Sequence, residues 1–265
     1  MIFDISISVK SKHITLVHLK NLLYYFICNS FNLVINFQIY SMKKIVGIIP
    51  VKNNSTRVKS KNLRKFSNTS LFELKLKQLS KTKEFDDFYI SSESKSILKI
   101  AKSKGFKTHL RDPYYSTSSV PMSEVYKYVA SSIKAEHVAW INVTNPLTDH
   151  KIYDQAALSY KKINFKKYDC LLSAIKNREN FFYKGKPINF KRTPWPRSQD
   201  LEPLVSLPFA ISILKRSDLI KWKSCVGKSP RFYFLDPVTA TDIDEMHNFK
   251  FAEFIFNSKK NWSKK

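Results

Sequence analysis

The amino-acid sequence predicts an α/β protein with a mainly parallel sheet, and three observations point to it. Short runs of β-branched and aromatic residues alternate with helix-period stretches along most of the chain, the spacing expected of βαβ units. The first run, Ile45-Val46-Gly47-Ile48-Ile49, is apolar throughout, as suits a strand covered on both faces. At 265 residues, 43% hydrophobic and 14% aromatic, the chain can bury one α/β core and is too apolar for wholesale disorder.

Taken in order, Pro50 ends the first strand because it has no N–H to donate. The polar loop behind it carries Lys52, Arg57, Lys59 and Lys61, interleaved with Asn53, Asn54, Ser55 and Asn62. A buried strand that empties into a cationic, amide-rich loop is how an open α/β sheet presents a phosphate site at its carboxyl edge. The same residues also fit a solvated, lysine-rich surface loop.

Ser70-Leu71-Phe72-Glu73 reads as a capping box opening a helix with Leu74 and Leu79 on its apolar side. Phe85 to Ile90 is the second expected strand, followed by a helix through Ile97, Ile100 and Ala101 that Gly105 closes. Phe106 to Leu110 is the third strand. Ser123 is the expected cap of a helix carrying Val125, Val129 and Ile133. The strand His137 to Val143, a helix through Ala156, Ala157 and Tyr160, and the strand Cys170 to Ile175 come next. Regularity fails between residues 176 and 207, where Pro187, Pro194, Pro196 and Pro203 break up the chain. Such a segment inside a compact domain is usually functional or an interaction arm. Phe209 to Leu214, a helix from Ser217 to Trp222 and the strand Arg231 to Leu235 restore order. Asp244 sits where the N-cap of a last helix belongs, before Met246, Phe249, Ala252 and Phe256.

Lys+Arg 46 against Asp+Glu 21 gives a net charge of +25. The excess is nearly all lysine spread over the whole chain, with no arginine-rich patch, so the expectation is a generic basic surface and no nucleic-acid partner. Cys28, Cys170 and Cys225 are odd in number and far apart, which supports neither a disulfide framework nor a zinc site. His109, His137, His150 and His247 are equally scattered and read as surface or packing residues. A reducing, cytoplasmic setting is expected. Residues 1–41 are apolar but interrupted by Lys20, Asn21, Asn29, Asn32 and Asn36, too polar for a good membrane span. They are expected to be an extension outside the fold, with the domain at 42–258, its arm at 176–207 and a basic tail at 259–265.

Several of these stretches resemble one family. Residues 50–62, Pro-Val-Lys-Asn-Asn-Ser-Thr-Arg-Val-Lys-Ser-Lys-Asn, are similar to the amino-terminal signature of the acylneuraminate cytidylyltransferases, Pro-Ala-Arg-x-Gly-Ser-Lys-Arg-Ile-Pro-x-Lys-Asn. These are the CMP-sialic acid synthetases and their relatives acting on octulosonic and other nonulosonic acids. Pro50, Ser55, Arg57, Lys61 and Asn62 match; Lys52 replaces an arginine, Asn54 a glycine, Thr56 a lysine and Lys59 a proline. In the family's order there follow Ser91-Ser92-Glu93, Arg111-Asp112-Pro113 with Ser118 to Ser123, and Thr144-Asn145-Pro146-Leu147. Arg197-Ser198-Gln199-Asp200-Leu201 and the carboxylate couple Asp242-Ile243-Asp244 complete the set. Thr148 stands where an arginine is usual, and Leu207-Pro208-Phe209 replaces an Asn-Gly-bearing strand entry.

The resemblance implies a Rossmann-like, GT-A-like nucleotidyltransferase sandwich of three layers with a dimerisation arm. It implies transfer of CMP from CTP to a sugar acid, with pyrophosphate released, in a homodimer. A triphosphate carries about four negative charges, so its site needs cations, N–H donors and a metal. Lys52, Arg57 and Lys61 suit the cations, with Asn54, Ser55, Asn62, Arg111 and Ser118 also about the nucleotide. Asn142, Arg197 and Gln199 would face the sugar; a guanidinium such as that of Arg197 can grip a carboxylate bidentately, or be an exposed loop arginine. Asp242 and Asp244, two apart, share a face in extended backbone and could hold one Mg²⁺; otherwise Asp244 merely caps a helix. Thr56 lacks an expected charge, so a paralogue that binds nucleotide or a partner without turnover is the alternative, and a polyanion-binding protein a third.

Overall fold

The computed structural model describes residues 43–262, apart from Asn54 and Thr56. Strand β1 (Ile45–Pro50) is followed by a short pair, β2 (Lys65–Phe66) and β3 (Thr69–Ser70), and by helix α1 (Leu71–Leu79). Then come β4 (Asp87–Ser92), α2 (Lys95–Ser103), β5 (Lys107–Leu110), α3 (Met122–Ser132), β6 (His137–Ile141) and α4 (His150–Lys161). β7 (Cys170–Asn177) leads into the arm, which holds the pair β8 (Phe182–Tyr183) and β9 (Lys186–Pro187) and ends in β10 (Leu204–Ser206). β11 (Ile211–Lys215), α5 (Arg216–Trp222), β12 (Pro230–Phe234) and α6 (Met246–Trp262) follow.

Eight strands form the main sheet in the order β10-β7-β11-β6-β1-β4-β5, with β12 also on β7. β1 runs parallel to both β4 and β6, and β12 parallel to β7. β11 is inserted antiparallel between β6 and β7, and β10 is also antiparallel. Among the described residues the path enters the sheet in the middle at β1, moves to β4 and β5 on one side, then returns to β6 on the other. Such a reversal leaves a crevice outside the carboxyl ends of the strands, where open α/β sheets take ligands.

The apolar run of β1 is explained by its two faces. Ile45 and Ile49 enter one core with α1, α2 and α4, while Val46 and Ile48 enter a second with α3 and α5. Each fully buried aliphatic chain of this kind stabilises the fold by roughly 1.5–3 kcal/mol. Gly47 is needed for close approach: a Cβ there would lie 2.2 Å from the Phe88 ring on the neighbouring strand.

The helix signals work locally. Ser70 accepts the Glu73 N–H at the start of α1. At the end of α2, Gly105 takes φ 82°, and the N–H groups of Gly105 and Phe106 reach back to the carbonyls of Lys102 and Ala101. Two expected caps are corrected. α3 begins at Met122 behind Pro121, whose fixed φ of −66° with extended ψ makes the entry, so Ser123 lies inside the first turn. α6 begins at Met246, and Phe249 N–H bonds the Glu245 carbonyl, so Asp244 is outside the helix and its carboxylate faces Arg57.

Cys170 and Cys225 are free and buried, while Cys28 lies outside the described residues. His109 bonds Ser91 and His137 bonds Tyr160, both packing roles. None of the described helices is long and apolar enough to cross a membrane; the apolar leader lies outside the described residues.

Candidate active site

A cleft of about 590 Å³ opens at the carboxyl ends of β1 and β6. Its floor on the β1 side is the basic loop: Lys52, Ser55, Arg57, Lys61 and Asn62 all line it. Two of the bonds that hold this loop join its ends and tie it to the segment after β4. Asn62 Nδ2 donates to the Lys52 carbonyl at 2.9 Å, and Asn53 N–H donates to Glu93 Oε1 at 2.8 Å. Asn54 and Thr56 lie outside the described residues.

Arg111 and Ser118 form a second wall. Arg111 is buried, and most of its donors are engaged: Nη2 bonds Val51 O at 3.0 Å and Glu93 Oε2 at 2.9 Å, and Nε bonds Ser116 Oγ at 2.9 Å. Glu93 therefore joins the basic loop to the Arg111 segment. Its carboxyl is held below the usual range: burial works to raise it, but bonds from Asn53 N–H, Arg111 and Ser116 win. Asn142 lies at the end of β6, and Met122, Val125, Tyr126 and Phe209 add an apolar side. Phe209 holds φ 50°, a left-handed conformation that costs a bulky residue roughly 1–2 kcal/mol.

The carboxylates Asp242 and Asp244 close the cleft from an irregular strap between β12 and α6. Arg57 Nη2 bonds Asp244 Oδ1 at 2.7 Å across 187 positions of sequence. Lys61 Nζ stands 3.7 Å from the same oxygen and donates to the Ile243 carbonyl. Burial lowers the Lys61 ammonium from the usual lysine range, and the charges of Asp244 and Asp242 oppose that shift. Lys52 is likewise lowered by burial and then by the Arg111 charge. Asp242 is pushed up by burial, against a bond from Thr144 and helped by the Asp244 charge.

Asp242 Oδ1 is buried with no hydrogen-bond partner among the described residues. Two carboxylates two positions apart on one strap, one with a free oxygen, fit a divalent cation whose remaining ligands are phosphate and water oxygens. Among the described residues no group of three or more His, Cys, Asp and Glu could hold a metal ion. Such a cation would therefore depend on its ligand's oxygens to complete its shell.

Residues 46–190 match the sequence profile of the cytidylyltransferases, more than half of the chain. The chain belongs to the cytidylyltransferase family. Over 231 residues it is 25% identical to the post-translational flagellin modification protein B of Campylobacter coli, covering 82% of this chain and 97% of that one. The CMP-N,N'-diacetyllegionaminic acid synthase of Campylobacter jejuni subsp. jejuni serotype O:2 shows the same identity and coverage. Among solved structures, a CMP:2-keto-3-deoxy-manno-octonic acid synthetase complexed with CTP superposes with a TM-score of 0.60 at 10% identity, over 82% of this chain and all of the other. The 4-diphosphocytidyl-2C-methyl-D-erythritol synthase of Anaerococcus prevotii gives 0.61 at 11%, over 83% and 99%. The fold is thus the Rossmann-like nucleotidyltransferase fold.

Two expected site residues of this cytidylyltransferase stand apart from the cleft lining. Arg197 is an exposed arm residue whose guanidinium makes a two-bond pair with Asp200, at 2.7 and 3.1 Å. Gln199, also exposed, accepts from Arg178 through its carbonyl. Within the single chain the arm does not bring either residue to the carboxylates.

Sequence reasoning also missed residues beneath the site. Lys75, fully buried in α1, donates through Nζ to the Asn145 carbonyl at 2.9 Å, to the Thr148 carbonyl at 3.5 Å and to the Tyr153 hydroxyl. Burial pushes its pKa down to about 7, against the Asp149 charge. Gln78, one turn on, donates to the Pro146 carbonyl at 2.7 Å. The only sequence signal was a lysine and a glutamine three apart on a helix whose neighbours are leucines.

Proposed function

We propose that this cytidylyltransferase transfers CMP from CTP to the hydroxyl of a nonulosonic or ulosonic sugar acid and releases pyrophosphate. The observation that carries the reading is the convergence of Arg57 and Lys61 with Asp242 and Asp244 in one cleft at the sheet's switch point. The likeness to the Campylobacter jejuni protein named as a CMP-N,N'-diacetyllegionaminic acid synthase supports a sugar acid as acceptor.

In this reading Lys52, Arg57 and Lys61 take the triphosphate, aided by Asn54, Ser55 and Asn62. Arg57 and Lys61 turn from Asp244 to the β- and γ-phosphates and balance the charge that gathers on the leaving pyrophosphate. Arg111 and Ser118 border the base, Arg111 chiefly by fixing the wall that the base meets. Asn142 lies by the acceptor. Asp242 and Asp244 would hold Mg²⁺, which when bound neutralises phosphate oxygens and favours ionisation of the acceptor hydroxyl. Transfer then rests on alignment and charge stabilisation more than on covalent chemistry.

Arg197 and Gln199 serve the sugar from the arm, and a homodimer is the assembly in which an arm could reach a second cleft. Its exposed aromatics support that assembly: Trp195 is 63% exposed, Tyr183 63% and Phe182 51%. A cytoplasmic, soluble enzyme of glycan biosynthesis follows from the same reading.

A binding-only paralogue is favoured by one observation, the pairing of the Asp244 oxygen with both Arg57 and Lys61. Incubation with CTP, Mg²⁺ and a panel of sugar acids, following pyrophosphate, separates the two. Release with at least one acid supports the transferase; CTP binding by calorimetry without release with any acid leaves the paralogue.

A further inference from the structure

We propose that Lys75 and Gln78 are positioning residues: α1 grips the loop after β6 from below and, through it, fixes the strap that carries Asp242 and Asp244. The inference rests on the assignment of those two carboxylates to a Mg²⁺–CTP complex.

The strap needs such a device because no strand ladder holds it. β12 ends at Phe234 and α6 starts at Met246, and the carboxylates lie between them in irregular backbone. Ile243 anchors the strap by its buried side chain. On the cleft side Lys61 donates to the Ile243 carbonyl and Arg57 pairs with Asp244, and from beneath the strap is tied to residues 144–148. Ile243 N–H donates to the Thr144 carbonyl at 2.9 Å. Thr148 Oγ1 donates to the Thr239 carbonyl at 2.9 Å. Asn145 Nδ2 faces the carbonyls of Ala240 and Thr241 at 3.4 Å each, and that of Pro208 at 3.1 Å. The placement of the strap therefore depends in good part on this loop.

The loop in turn hangs on α1. Lys75 and Gln78, spaced three apart, face the same way on the helix. They donate to the backbone carbonyls of Asn145, Pro146 and Thr148. All of these donors are buried, so water cannot replace a lost bond without opening the core. Burying a lysine is costly, and the depressed pKa of Lys75 reflects that cost. A leucine would pack at this position without the cost but would remove the lysine's bonds to the Asn145 and Thr148 carbonyls and the Tyr153 hydroxyl, leaving the Asn145 carbonyl only the Thr148 N–H at 3.4 Å. Catalytic geometry is sensitive at this level, since a shift of about 1 Å in a positioned group can cost on the order of a hundredfold in rate.

The test compares wild type with Lys75→Met and Gln78→Met, each held well below its melting temperature. CTP binding is measured by calorimetry with and without Mg²⁺, beside pyrophosphate release. The expected result is a rise of at least fivefold in the Mg²⁺ concentration for half-maximal CTP binding, with metal-free CTP binding within twofold of wild type. kcat should fall at least tenfold at low Mg²⁺ and recover in part at high Mg²⁺. An unchanged Mg²⁺ dependence in folded variants would overturn the proposal, as would equal losses with and without metal. Should Lys75→Met fail to fold, Gln78→Met and Thr148→Val carry the same readout. If wild type binds Mg²⁺–CTP but transfers CMP to no sugar acid, the functional reading fails while the binding comparison still decides the role of α1. If wild type shows no Mg²⁺-dependent CTP binding, the positioning role falls.

Discussion

Lys61 Nζ lies 3.7 Å from Asp244 Oδ1, which joins the loop after the first strand to the strap before the last helix. The pair is not a strong fastener. Asp244 is half exposed, and its salt bridge to the still more exposed Arg57 is of a kind worth at most about 1 kcal/mol. Its significance is geometric, because it brings cations and carboxylates to one cleft at the switch point of the sheet. Lys61→Met should therefore raise the KM for CTP roughly tenfold or more and lower kcat as well, with little change in melting temperature. Steady-state kinetics with varied CTP, beside a thermal melt, checks this.

Asp242 sets function against stability. Its buried oxygen lacks a partner and its carboxyl is pushed up by burial, so ionising it costs the fold a desolvated charge. For an acid whose native pKa lies above its unfolded value, the native state holds the extra proton. Stability then falls as pH rises from the unfolded value through the raised one. Asp242→Asn should accordingly raise the melting temperature at pH 7 by roughly 2–4 °C while losing transfer. Mg²⁺ with CTP should stabilise wild type more than the variant. Calorimetric melts at pH 4 and pH 7 test both halves, and the gain should shrink at pH 4.

Lys75 has the opposite sign. With a native pKa of about 7 against about 10.4 unfolded, the lysine is charged in both states below pH 7, and the burial cost is carried in full. Between these values the unfolded chain binds the extra proton, so stability rises with pH by up to about 1.4 kcal/mol per unit. Urea melts of wild type and Lys75→Met from pH 6 to pH 9 should show that slope in wild type and its loss in the variant.

The arm predicts a split in kinetic effects. Arg197→Ala should raise the KM for the sugar acid and leave the KM for CTP unchanged, because Arg197 lies apart from the cleft lined by Lys52, Arg57 and Lys61. Trp195→Ser with Phe182→Ser should shift sedimentation from dimer towards monomer and lower transfer in parallel. A protein that sediments as a monomer before mutation would remove this role for the arm.

What the sequence disclosed was what local chemistry dictates. The apolar run of β1, the Ser70 cap, the Gly105 closure and the order of the loop motifs could be read directly, because each is set by neighbours in sequence. The antiparallel insertion of β11 between β6 and β7 could not, since nothing in Ile211–Lys215 records its partners. Asp244 read equally as a helix cap because its deciding neighbour, Arg57, is 187 positions away. Lys75 and Gln78 were invisible for the opposite reason to β1. A lysine on a helix ordinarily reaches water, and only the tertiary fold shows this one closed over by the loop after β6.

In the proposed reaction the cationic turn and the carboxylate strap act on one CTP. The decisive measurement is formation of the CMP–sugar acid product, followed by mass spectrometry in wild type and Asp244→Asn side by side. Product should form in wild type and fall by on the order of a hundredfold or more in the folded variant. Equal rates in the two proteins would contradict it.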